Sequence, residues 1–490
     1  MAKVTIWQNG RKNEVSFSGK RPLSQVLAEN GYSVDHPCGG RGVCGKCAVR
    51  LEGAVSPPNA AEEKAGVRLS CQAELWGDAQ VWLPDTQRNE IELSGGAAVQ
   101  GDGNQSGVGA AVDIGTTTLA LKLYDLKTGA QLASAAAMNP QRSVAADVMG
   151  RIGAALEGQG GLLKTQIEDA IGALLQEACA SAGIPAGDVR KLVVAGNTTM
   201  LYLLTGRNPL CLSRAPFQAD HLFDERAILL GIPVYYPPCM NAFVGADITC
   251  AVLASGMCEK SETSLLCDIG TNGEIALWKD GVLYVTSTAA GPAFEGAGIS
   301  CGCGSVPGAI DRVWVENGEI QAHTLGNQAA VGVCGSGLID AIAAFLKTED
   351  IDETGAVEED ELPLRDGISL KPQDVRAVQL AKAAIAAGIQ TLMQLAEIRE
   401  SDIARLYIAG GFGSHLNVES AAAIGLIPGS LTDKVTVIGN GSLSGSGAML
   451  LREERLAAGR ALAKGSRHVN LGGNPRFNEN YMEQILFETE

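Results

Sequence analysis

The chain carries the stretch AAVDIGTTTLALKLYDLKTG at residues 110–129 and a related one, LLCDIGTNGEIALWKDG, at residues 265–281. Each is an apolar predicted strand followed by Asp-Ile-Gly-Thr, a second strand and a turn. A second pair follows in the same order, with KLVVAGNTTM at 191–200 and RLYIAGGFGS at 405–414. Two motifs repeated in the same order predict a duplicated domain with two related lobes, not a short-period solenoid.

Each Asp-Ile-Gly-Thr tetrapeptide lies at the end of a predicted strand. A tight turn there exposes successive backbone N–H groups, and threonine hydroxyls add further donors, which together make a pocket for anions. The leading aspartates, Asp113 and Asp268, are suited to hold Mg²⁺ through water. A lone copy is a weak signal, but two copies predict a clamp for the β- and γ-phosphates made by Gly115, Thr116, Thr117, Gly270, Thr271 and Asn272.

The order of these motifs resembles that of the sugar kinase, heat-shock chaperone and actin superfamily, where two phosphate turns precede an adenosine turn. The resemblance implies an actin-like, ribonuclease H-like ATPase fold. Gly410 and Gly411 then form the adenosine turn, because a flat purine and ribose must lie on bare backbone. Further candidates for the nucleotide side are Gly335, Ser336 and Gly337, and the loop at 439–442. An ordinary helix cap or strand turn is the alternative for Gly335 and Gly441.

Four cysteines near the amino terminus have the spacing of an iron–sulfur site. Cys38, Cys44 and Cys47 lie in C-GGRGV-C-GK-C, and Cys71 follows 24 residues later. Four thiolates hold a [2Fe–2S] cluster, and the loop glycines let backbone N–H groups point at the sulfurs. Zinc is the alternative, but zinc sites typically use two close cysteine pairs. Residues 1–92 resemble plant-type and adrenodoxin-like ferredoxins, which implies a β-grasp domain.

Other candidate residues carry weaker signals. Glu295, in AGPAFEGAGIS at 290–300, is predicted to line the cleft and to act on water or Mg²⁺. The expected catalytic residues are therefore Asp113, Asp268 and Glu295. A second metal or redox site is one interpretation of three later cysteines, but small buried residues in Gly-rich loops are the preferred one. These are Cys301, Cys303 and Cys334.

Composition and charge narrow the classes of partner. The 490 residues carry 13 cysteines and a net charge of −17. Residues 1–92 hold 11 basic and 11 acidic side chains. Residues 93–490 hold 27 basic and 44 acidic ones, so the whole acidic excess lies there. An acidic surface repels phosphate backbones, which argues against nucleic acid as a partner. Without a signal segment or a long apolar run, we expect a cytoplasmic protein with no membrane partner and with reduced cysteines.

The predicted organisation is a multidomain α/β and α+β chain. It has a ferredoxin domain at 1–92, a flexible Gly/Ser/Gln-rich linker at 93–107, and an ATPase domain at 108–490 with lobes at about 108–262 and 263–490. We expect a hairpin around Asn9-Gly10. The predicted helices lie at 22–31, 162–183, 337–346, 371–398 and 447–464.

Over nearly its whole length the chain resembles the reductive activators of corrinoid-dependent proteins. The resemblance rests on the C-x5-C-x2-C loop, DIGTTT, VVAGNTTM, DIGTNGE, AGPAFEGAGI, CGSGLID, IAGGFGSHLN and NPRFNENYMEQILF. It departs at 93–107, because well-known members carry a further small domain there. The resemblance implies that ATP drives one electron from a [2Fe–2S] cluster onto cob(II)alamin, which restores cob(I)alamin for methyl transfer.

The same resemblance implies ligands, cofactors and partners. Cys38, Cys44, Cys47 and Cys71 hold the cluster, and the cofactors are the [2Fe–2S] cluster, ATP and Mg²⁺. The implied partners are a corrinoid protein of a methyltransferase system and an upstream electron donor, and a homodimer is compatible with the family. Three alternatives stay open: an ATP-driven donor to another low-potential enzyme, a small-molecule kinase with a sensory cluster, and a redox sensor.

Overall fold

A computed structural model describes residues 1–8, 10–32, 34, 40, 42, 45–84, 101, 103, 105–410 and 415–487. The amino-terminal domain comprises β1 (Ala2–Gln8), β2 (Arg11–Phe17), β3 (Arg21–Pro22), α1 (Leu23–Glu29), β4 (Ala48–Val55), α2 (Ala60–Ala65), β5 (Arg68–Leu69) and β6 (Glu74–Trp82). Its strands form one mixed sheet in the order β2-β1-β6-β4-β5, and β3 pairs with β6.

The first two strands form the expected hairpin, and α1 covers their sheet. Val4 and Ile6 of β1 are fully buried, which is the period-two pattern of a strand with one covered face. The i, i+3, i+4 spacing of Leu23, Val26 and Leu27 places all three on one side of α1, where they join the same core. A mixed sheet covered by one short helix is the arrangement expected of a ferredoxin domain.

The first lobe of the larger domain is built on a six-stranded sheet. Its elements are β7 (Val108–Ile114), β8 (Thr118–Asp125), β9 (Gln131–Met138), α3 (Val148–Ala154), α4 (Gly160–Ala182), β10 (Val189–Gly196), α5 (Thr198–Thr205), α6 (Leu210–Ser213), β11 (Glu225–Leu229), β12 (Ile232–Tyr236) and α7 (Ala246–Ser255). The strand order is β11-β12-β10-β7-β8-β9. Strands β7, β8 and β9 are antiparallel, whereas β10 runs parallel to both β7 and β12.

The second lobe repeats this plan. Its sheet has the order β22-β21-β13-β14-β15-β23, with an antiparallel β13-β14-β15 and parallel β21 and β22. Its elements are β13 (Ser264–Ile269), β14 (Gly273–Lys279), β15 (Val282–Thr288), β16 (Ala309–Glu316), β17 (Glu319–Thr324), β18 (Gly332–Val333), α8 (Gly335–Lys347), β19 (Leu362–Arg365), β20 (Ile368–Leu370), α9 (Pro372–Leu395), β21 (Arg405–Ala409), α10 (Val418–Ala423), β22 (Val435–Gly439), α11 (Gly441–Leu451), α12 (Glu453–Gly465), β23 (Arg467–His468) and α13 (Pro475–Glu483). Five neighbouring strands have the same order in both lobes, as the duplication predicts, whereas the edge strands β11 and β23 have no counterpart.

Helices α7 and α11 join the two lobes. α7 follows β12 and α11 follows β22, so the two helices occupy equivalent places in the repeat. They approach so closely that a Cβ at Gly445 of α11 would lie 2.0 Å from the carbonyl oxygen of Cys250 in α7. Leu443 and Leu450 of α11 are buried in the core of the first lobe. Ile248 of α7 is buried in a cluster with strands of the second lobe, so each helix helps to hold the lobes together.

The helices predicted at 162–183, 337–346 and 371–398 are confirmed as α4, α8 and α9. The single helix predicted at 447–464 is wrong, because the backbone is extended at Arg452, with φ of −138° and ψ of 122°. The chain must change direction there, since α11 is buried between the lobes whereas α12 lies mostly at the surface. Residues 93–100, 102 and 104 of the predicted linker lie outside the described residues.

Among the helices that the structure describes, none is both long enough and apolar enough to cross a membrane.

Replacing Gly445 with alanine should destabilise the protein. The new methyl group would press on the backbone at Cys250, which cannot rotate away as a flexible side chain could. We expect a loss of about 1–3 kcal/mol from overpacking, against a gain of about 1 kcal/mol in helix propensity. Thermal unfolding followed by circular dichroism measures the change. Gly161→Ala in α4 is the matched control, because its Cβ would meet no neighbouring atom within 4 Å; an equal loss there would contradict the packing argument.

Candidate functional site

The two Asp-Ile-Gly-Thr turns line one cleft between the lobes. One turn follows β7 and the other follows β13, at equivalent places in the repeat. The Gly115 N–H donates to the Thr118 carbonyl oxygen at 2.8 Å, and the Gly270 N–H donates to that of Asn272 at 3.2 Å. These hydrogen bonds close the turns. The cleft thereby brings together Asp113, Gly115, Thr116, Thr117, Asp268, Gly270, Thr271 and Asn272.

Glu295 bridges the two turns. Its Oε2 accepts a hydrogen bond from the Thr117 hydroxyl at 2.5 Å, and its Oε1 accepts one from the Thr271 hydroxyl at 2.9 Å. One carboxylate therefore ties the first lobe to the second across the cleft. The cleft has a volume of about 250 Å³, slightly below the usual range of ligand pockets. That small volume fits a cleft narrowed by the Glu295 bridge.

Asp113 is held by the beginning of α11. Asn440 Nδ2 donates to Asp113 Oδ2 at 2.9 Å, and the Ser442 hydroxyl donates to Oδ1 at 2.6 Å. Asn440 also caps α11, since its side-chain oxygen accepts from the Leu443 N–H at 2.7 Å. The loop at 439–442, which the sequence only weakly indicated, therefore lines the cleft and orients its first aspartate.

Arg151 supports the first turn from behind. Its side chain is fully buried, Nη2 donates to the Thr116 carbonyl oxygen at 2.6 Å, and Nε donates to that of Ala145 at 2.9 Å. Burial lowers the pKa of Arg151 to about 9, so the guanidinium remains charged at neutral pH. Asn197 completes the support by donating to the Thr116 hydroxyl at 3.1 Å. A buried cation thus fixes the backbone that carries the predicted phosphate donors.

The floor of the cleft is acidic. Burial raises the pKa of Asp247 to about 8 and that of Asp268 to about 7, and repulsion between neighbouring carboxyls adds to both shifts. Burial also raises the pKa of Asp113 and Glu274. Asp247 lies in the first turn of α7, where its Oδ1 accepts from the Ile248 N–H at 2.8 Å. A cation entering the cleft would relieve this repulsion, which suits Mg²⁺ bound together with phosphates.

The cysteine site is described in part. Cys47 is buried, and its Sγ lies 3.2 Å from the Sγ of Cys71. Gln72 Nε2 lies 3.6 Å from the same Cys71 sulfur and donates to the Gly40 carbonyl oxygen at 2.5 Å. Two converging sulfurs with a nearby N–H donor fit an iron–sulfur cluster. Cys38 and Cys44 lie outside the described residues. The described residues contain no group of three or more His, Cys, Asp or Glu side chains that could hold a metal ion.

Only some of the remaining predicted residues line the cleft. Gly335, Ser336 and Gly410 line the cleft, and Gly411 lies outside the described residues. Gly337 is not among the lining residues. A Cβ there would lie 2.2 Å from the Ile310 carbonyl oxygen, so this glycine lets α8 pack against β16. Two of the three later cysteines also line the cleft, namely Cys303 and Cys334.

Comparison with known families covers most of the chain. The model described as 2Fe-2S iron-sulfur cluster binding domain matches residues 6–75. The model of the RACo middle region matches residues 108–260, and that of the C-terminal domain of RACo, the ASKHA domain, matches residues 262–490. The two RACo models adjoin at residues 260–262.

Individual relatives agree with these matches. The corrinoid activation enzyme RamQ of Eubacterium limosum is 36% identical over 77% of this chain and 70% of its own length. The chain belongs to the RACo family of corrinoid activators. A reductase of the methylated amine-specific Co(II) corrinoid protein in Methanosarcina barkeri is 30% identical over 62% of this chain and 60% of its own length. A solved reductive activator for corrinoid, iron-sulfur protein has a TM-score of 0.71 and 26% identity, covering 99% of this chain and 98% of that one.

Membership of the RACo family confirms the resemblance and the fold class expected from the sequence. Sequence reasoning nevertheless missed Asp247, Glu274 and Arg151. A signal for Asp247 exists in the internal repeat: α7 begins after β12 as α11 begins after β22, which pairs Asp247 with Ser442. Arg151 gave no comparable signal, because a single arginine near a predicted helix is ordinarily at the surface.

Replacing Arg151 with methionine should destabilise the first turn. Methionine fills much of the space but leaves buried carbonyl oxygens without a donor, at about 1–3 kcal/mol for each. We expect a lower free energy of unfolding, measured by denaturant titration, and weaker binding of an ATP analogue, measured by calorimetry. Arg214→Met is the control, since Arg214 is exposed. Wild-type analogue affinity in the Arg151→Met protein would rule out a positioning role.

The raised pKa of Asp247 predicts a pH dependence of stability. Its pKa is about 8 when folded and about 3.9 when unfolded, so the folded state binds more protons between those values. Stability should therefore fall as pH rises from 5 to 8 in the absence of nucleotide and divalent cations. Asp247→Asn should remove at least about 1 kcal/mol of that fall, the equivalent of one pKa unit.

Denaturant unfolding at the two pH values measures the effect of Asp247→Asn. The control is Asp169→Asn in α4, whose side chain is exposed and whose replacement should leave the wild-type slope unchanged. Parallel pH profiles for wild type and Asp247→Asn would show that this carboxyl does not take up a proton on folding.

Proposed function

We propose that this chain is an ATP-dependent reductive activator, which passes one electron from a [2Fe–2S] cluster to the cob(II)alamin of a corrinoid protein and so regenerates cob(I)alamin. The observation that carries the proposal is the presence on one chain of two phosphate-type turns bridged by Glu295 and of a converging cysteine pair, Cys47 and Cys71. The names of two relatives support a corrinoid protein as the electron acceptor, because one names corrinoid activation and the other the reduction of a corrinoid protein.

A low-potential acceptor would explain why an electron carrier needs ATP. Moving one electron uphill by about 100 mV costs roughly 2.3 kcal/mol, since 59 mV corresponds to a tenfold change in equilibrium. A nucleotide can shift a conformational equilibrium by that amount if it binds the two states with different affinity. Cob(I)alamin is the nucleophile that takes the methyl group and is lost by oxidation, so a methyltransferase system of anaerobic metabolism requires its repair.

The cleft residues take different parts of the nucleotide. The two turns bind the phosphates and Mg²⁺ through Asp113, Gly115, Thr116, Thr117, Asp268, Gly270, Thr271 and Asn272. Bound Mg²⁺ supplies charge neutralisation for the phosphate oxygens. The adenosine rests on small residues, namely Gly335, Ser336, Gly410 and Gly411. Asp247 lines the same cleft and, as a carboxylate beside a bound cation, would serve as the base for the attacking water.

The cysteine ligands are Cys38, Cys44, Cys47 and Cys71. A [2Fe–2S] cluster supplies single-electron transfer, and the protein sets its potential through burial and hydrogen bonds to the sulfurs. Gln72, which donates toward the Cys71 sulfur at 3.6 Å, is one such group. An upstream reductant delivers the electron, and the corrin stays bound to the partner protein.

The test is an anaerobic optical spectrum of a cob(II)alamin corrinoid protein mixed with this protein, a chemical reductant and MgATP. We expect the cob(I)alamin band to grow only when ATP is present. Cys47→Ala should abolish the band because the cluster loses a ligand. Asp113→Asn should abolish the effect of ATP while the cluster is still reduced. Cys258→Ala, a cysteine outside both sites, is the matched control and should behave as wild type.

Two results would contradict the proposal. Formation of cob(I)alamin at the same rate without ATP would remove the nucleotide from the mechanism. An unchanged cob(II)alamin spectrum with a reduced cluster and bound ATP, across the corrinoid proteins tried, would remove the acceptor. Phosphoryl transfer to an added metabolite in that protein would then favour a kinase.

A further inference from the structure

The amino-terminal domain touches the second lobe through the loop that carries the cysteines. Lys46 lies between Gly45 and Cys47, and its Nζ donates to the carbonyl oxygens of Ser300 at 3.3 Å and Gly302 at 3.5 Å. One ammonium group thus contacts two carbonyl oxygens more than 250 residues away in the chain. The contact joins the cysteine loop to the rim of the nucleotide cleft.

The segment that receives Lys46 is held firmly on the second lobe. The Ser300 N–H donates to Asp374 Oδ1 at 2.8 Å, and the Ser300 hydroxyl donates to Asp374 Oδ2. Asp374 is fully buried and accepts from the Lys371 N–H at 2.9 Å at the beginning of α9. The Cys303 N–H donates to the Val333 carbonyl oxygen at 2.9 Å. These hydrogen bonds attach the segment to α9 and β18 at Ser300 and Cys303, and Gly302 lies between the two points of attachment.

The same segment also reaches into the cleft. It begins at Glu295, which bridges Thr117 and Thr271, and residues 295–303 are called the coupling loop below. The loop folds tightly on itself: a Cβ at Gly302 would lie 2.1 Å from the Gly296 carbonyl oxygen, and one at Gly296 would lie 2.6 Å from that of Cys303. A displacement of Glu295 would therefore shift the backbone at Gly296 and Gly302, and Gly302 carries one of the two carbonyl oxygens that accept from Lys46.

An incoming phosphate would compete with Glu295. The hydroxyls of Thr117 and Thr271 are donors to the carboxylate in this structure, and they are the donors that a phosphate between the turns would use. Two anions cannot share the same small space without strong repulsion. Phosphate binding therefore requires Glu295 to leave at least one of its two partners.

We propose that the coupling loop docks the ferredoxin domain through Lys46, and that MgATP weakens this docking by displacing Glu295. The proposal rests on the proposed function, since it requires nucleotide in the cleft. Binding effects between two sites are reciprocal, so docking must in turn weaken nucleotide binding. The docked state holds the loop of Cys47 against its own chain, and nucleotide frees that loop for a partner.

The first test follows the reactivity of Lys46. The full-length protein with its cluster is treated anaerobically with a limiting amount of an N-hydroxysuccinimide ester, with and without a Mg²⁺-bound non-hydrolysable ATP analogue. Mass spectrometry then gives the labelling rate of Lys46. We expect the analogue to raise this rate about fivefold, at the lower end of usual couplings. Lys12 on β2, which pairs with Glu14, is the internal control and should not change.

Analogue binding, measured by calorimetry in the same samples, separates the possible failures. If the analogue binds and the Lys46 rate stays constant, the coupling is overturned while the proposed function stands. If the analogue does not bind, the nucleotide site itself fails and the coupling is overturned with it.

The second test uses reciprocity. Lys46→Gln removes the charge that docks the domain, so the affinity for the analogue should rise about fivefold. Lys12→Gln is the matched control and should leave the affinity unchanged, and the visible spectrum of the cluster confirms that both variants are folded. Equal affinities in wild type and Lys46→Gln would overturn the proposal.

Discussion

The close packing of α7 on α11 is the constraint on which both the fold and the cleft depend. Because Gly445 has no side chain, the helices approach until it lies against the backbone of Cys250. The beginnings of both helices then reach the same cleft, with Asp247 on α7 and Ser442 on α11. The amino terminus of a helix attracts negative charge. The cleft therefore has two helix amino termini, those of α7 and α11, that can stabilise anionic ligands. A duplicated chain thereby builds one site from equivalent ends of its two halves.

That geometry concentrates like charges. Burial raises the pKa of Asp113, Asp247 and Asp268, and repulsion from Asp113 raises the pKa of the other two further. Ser442 and Asn440 offset part of the cost at Asp113 by donating hydrogen bonds to it. Such an arrangement costs stability, and ligands that neutralise the carboxyl charges would recover it on binding. The acidity of the cleft is therefore best explained by the ligands it is built to receive.

Local patterns made much of this predictable. The repeated Asp-Ile-Gly-Thr turns indicated the two lobes, and the spacing around Cys47 indicated the iron–sulfur loop, because each signal lies within a short stretch. The sequence places Gly337 in the nucleotide site. Its role in packing α8 against β16 becomes visible only when the position of Ile310 is known. The sequence pattern predicts one continuous helix across Arg452. It does not show the break, because the break depends on the burial of α11 between the two lobes. Asp247 could be found only by extending the internal repeat to α7 and α11, where the two sequences are no longer alike.

The contact of Lys46 with the coupling loop was invisible in the sequence, since it joins residues from two domains without any pattern in either. The strength of this contact decides whether a bound nucleotide can reverse it. Two hydrogen bonds from an exposed ammonium group contribute on the order of 1–3 kcal/mol in total, far less than a large apolar interface would. A contact of that size holds one arrangement of the domains in preference to others, yet remains within the range that a bound nucleotide can reverse. Under the proposed function this balance is required, because a tighter interface would keep the cysteine loop on its own chain.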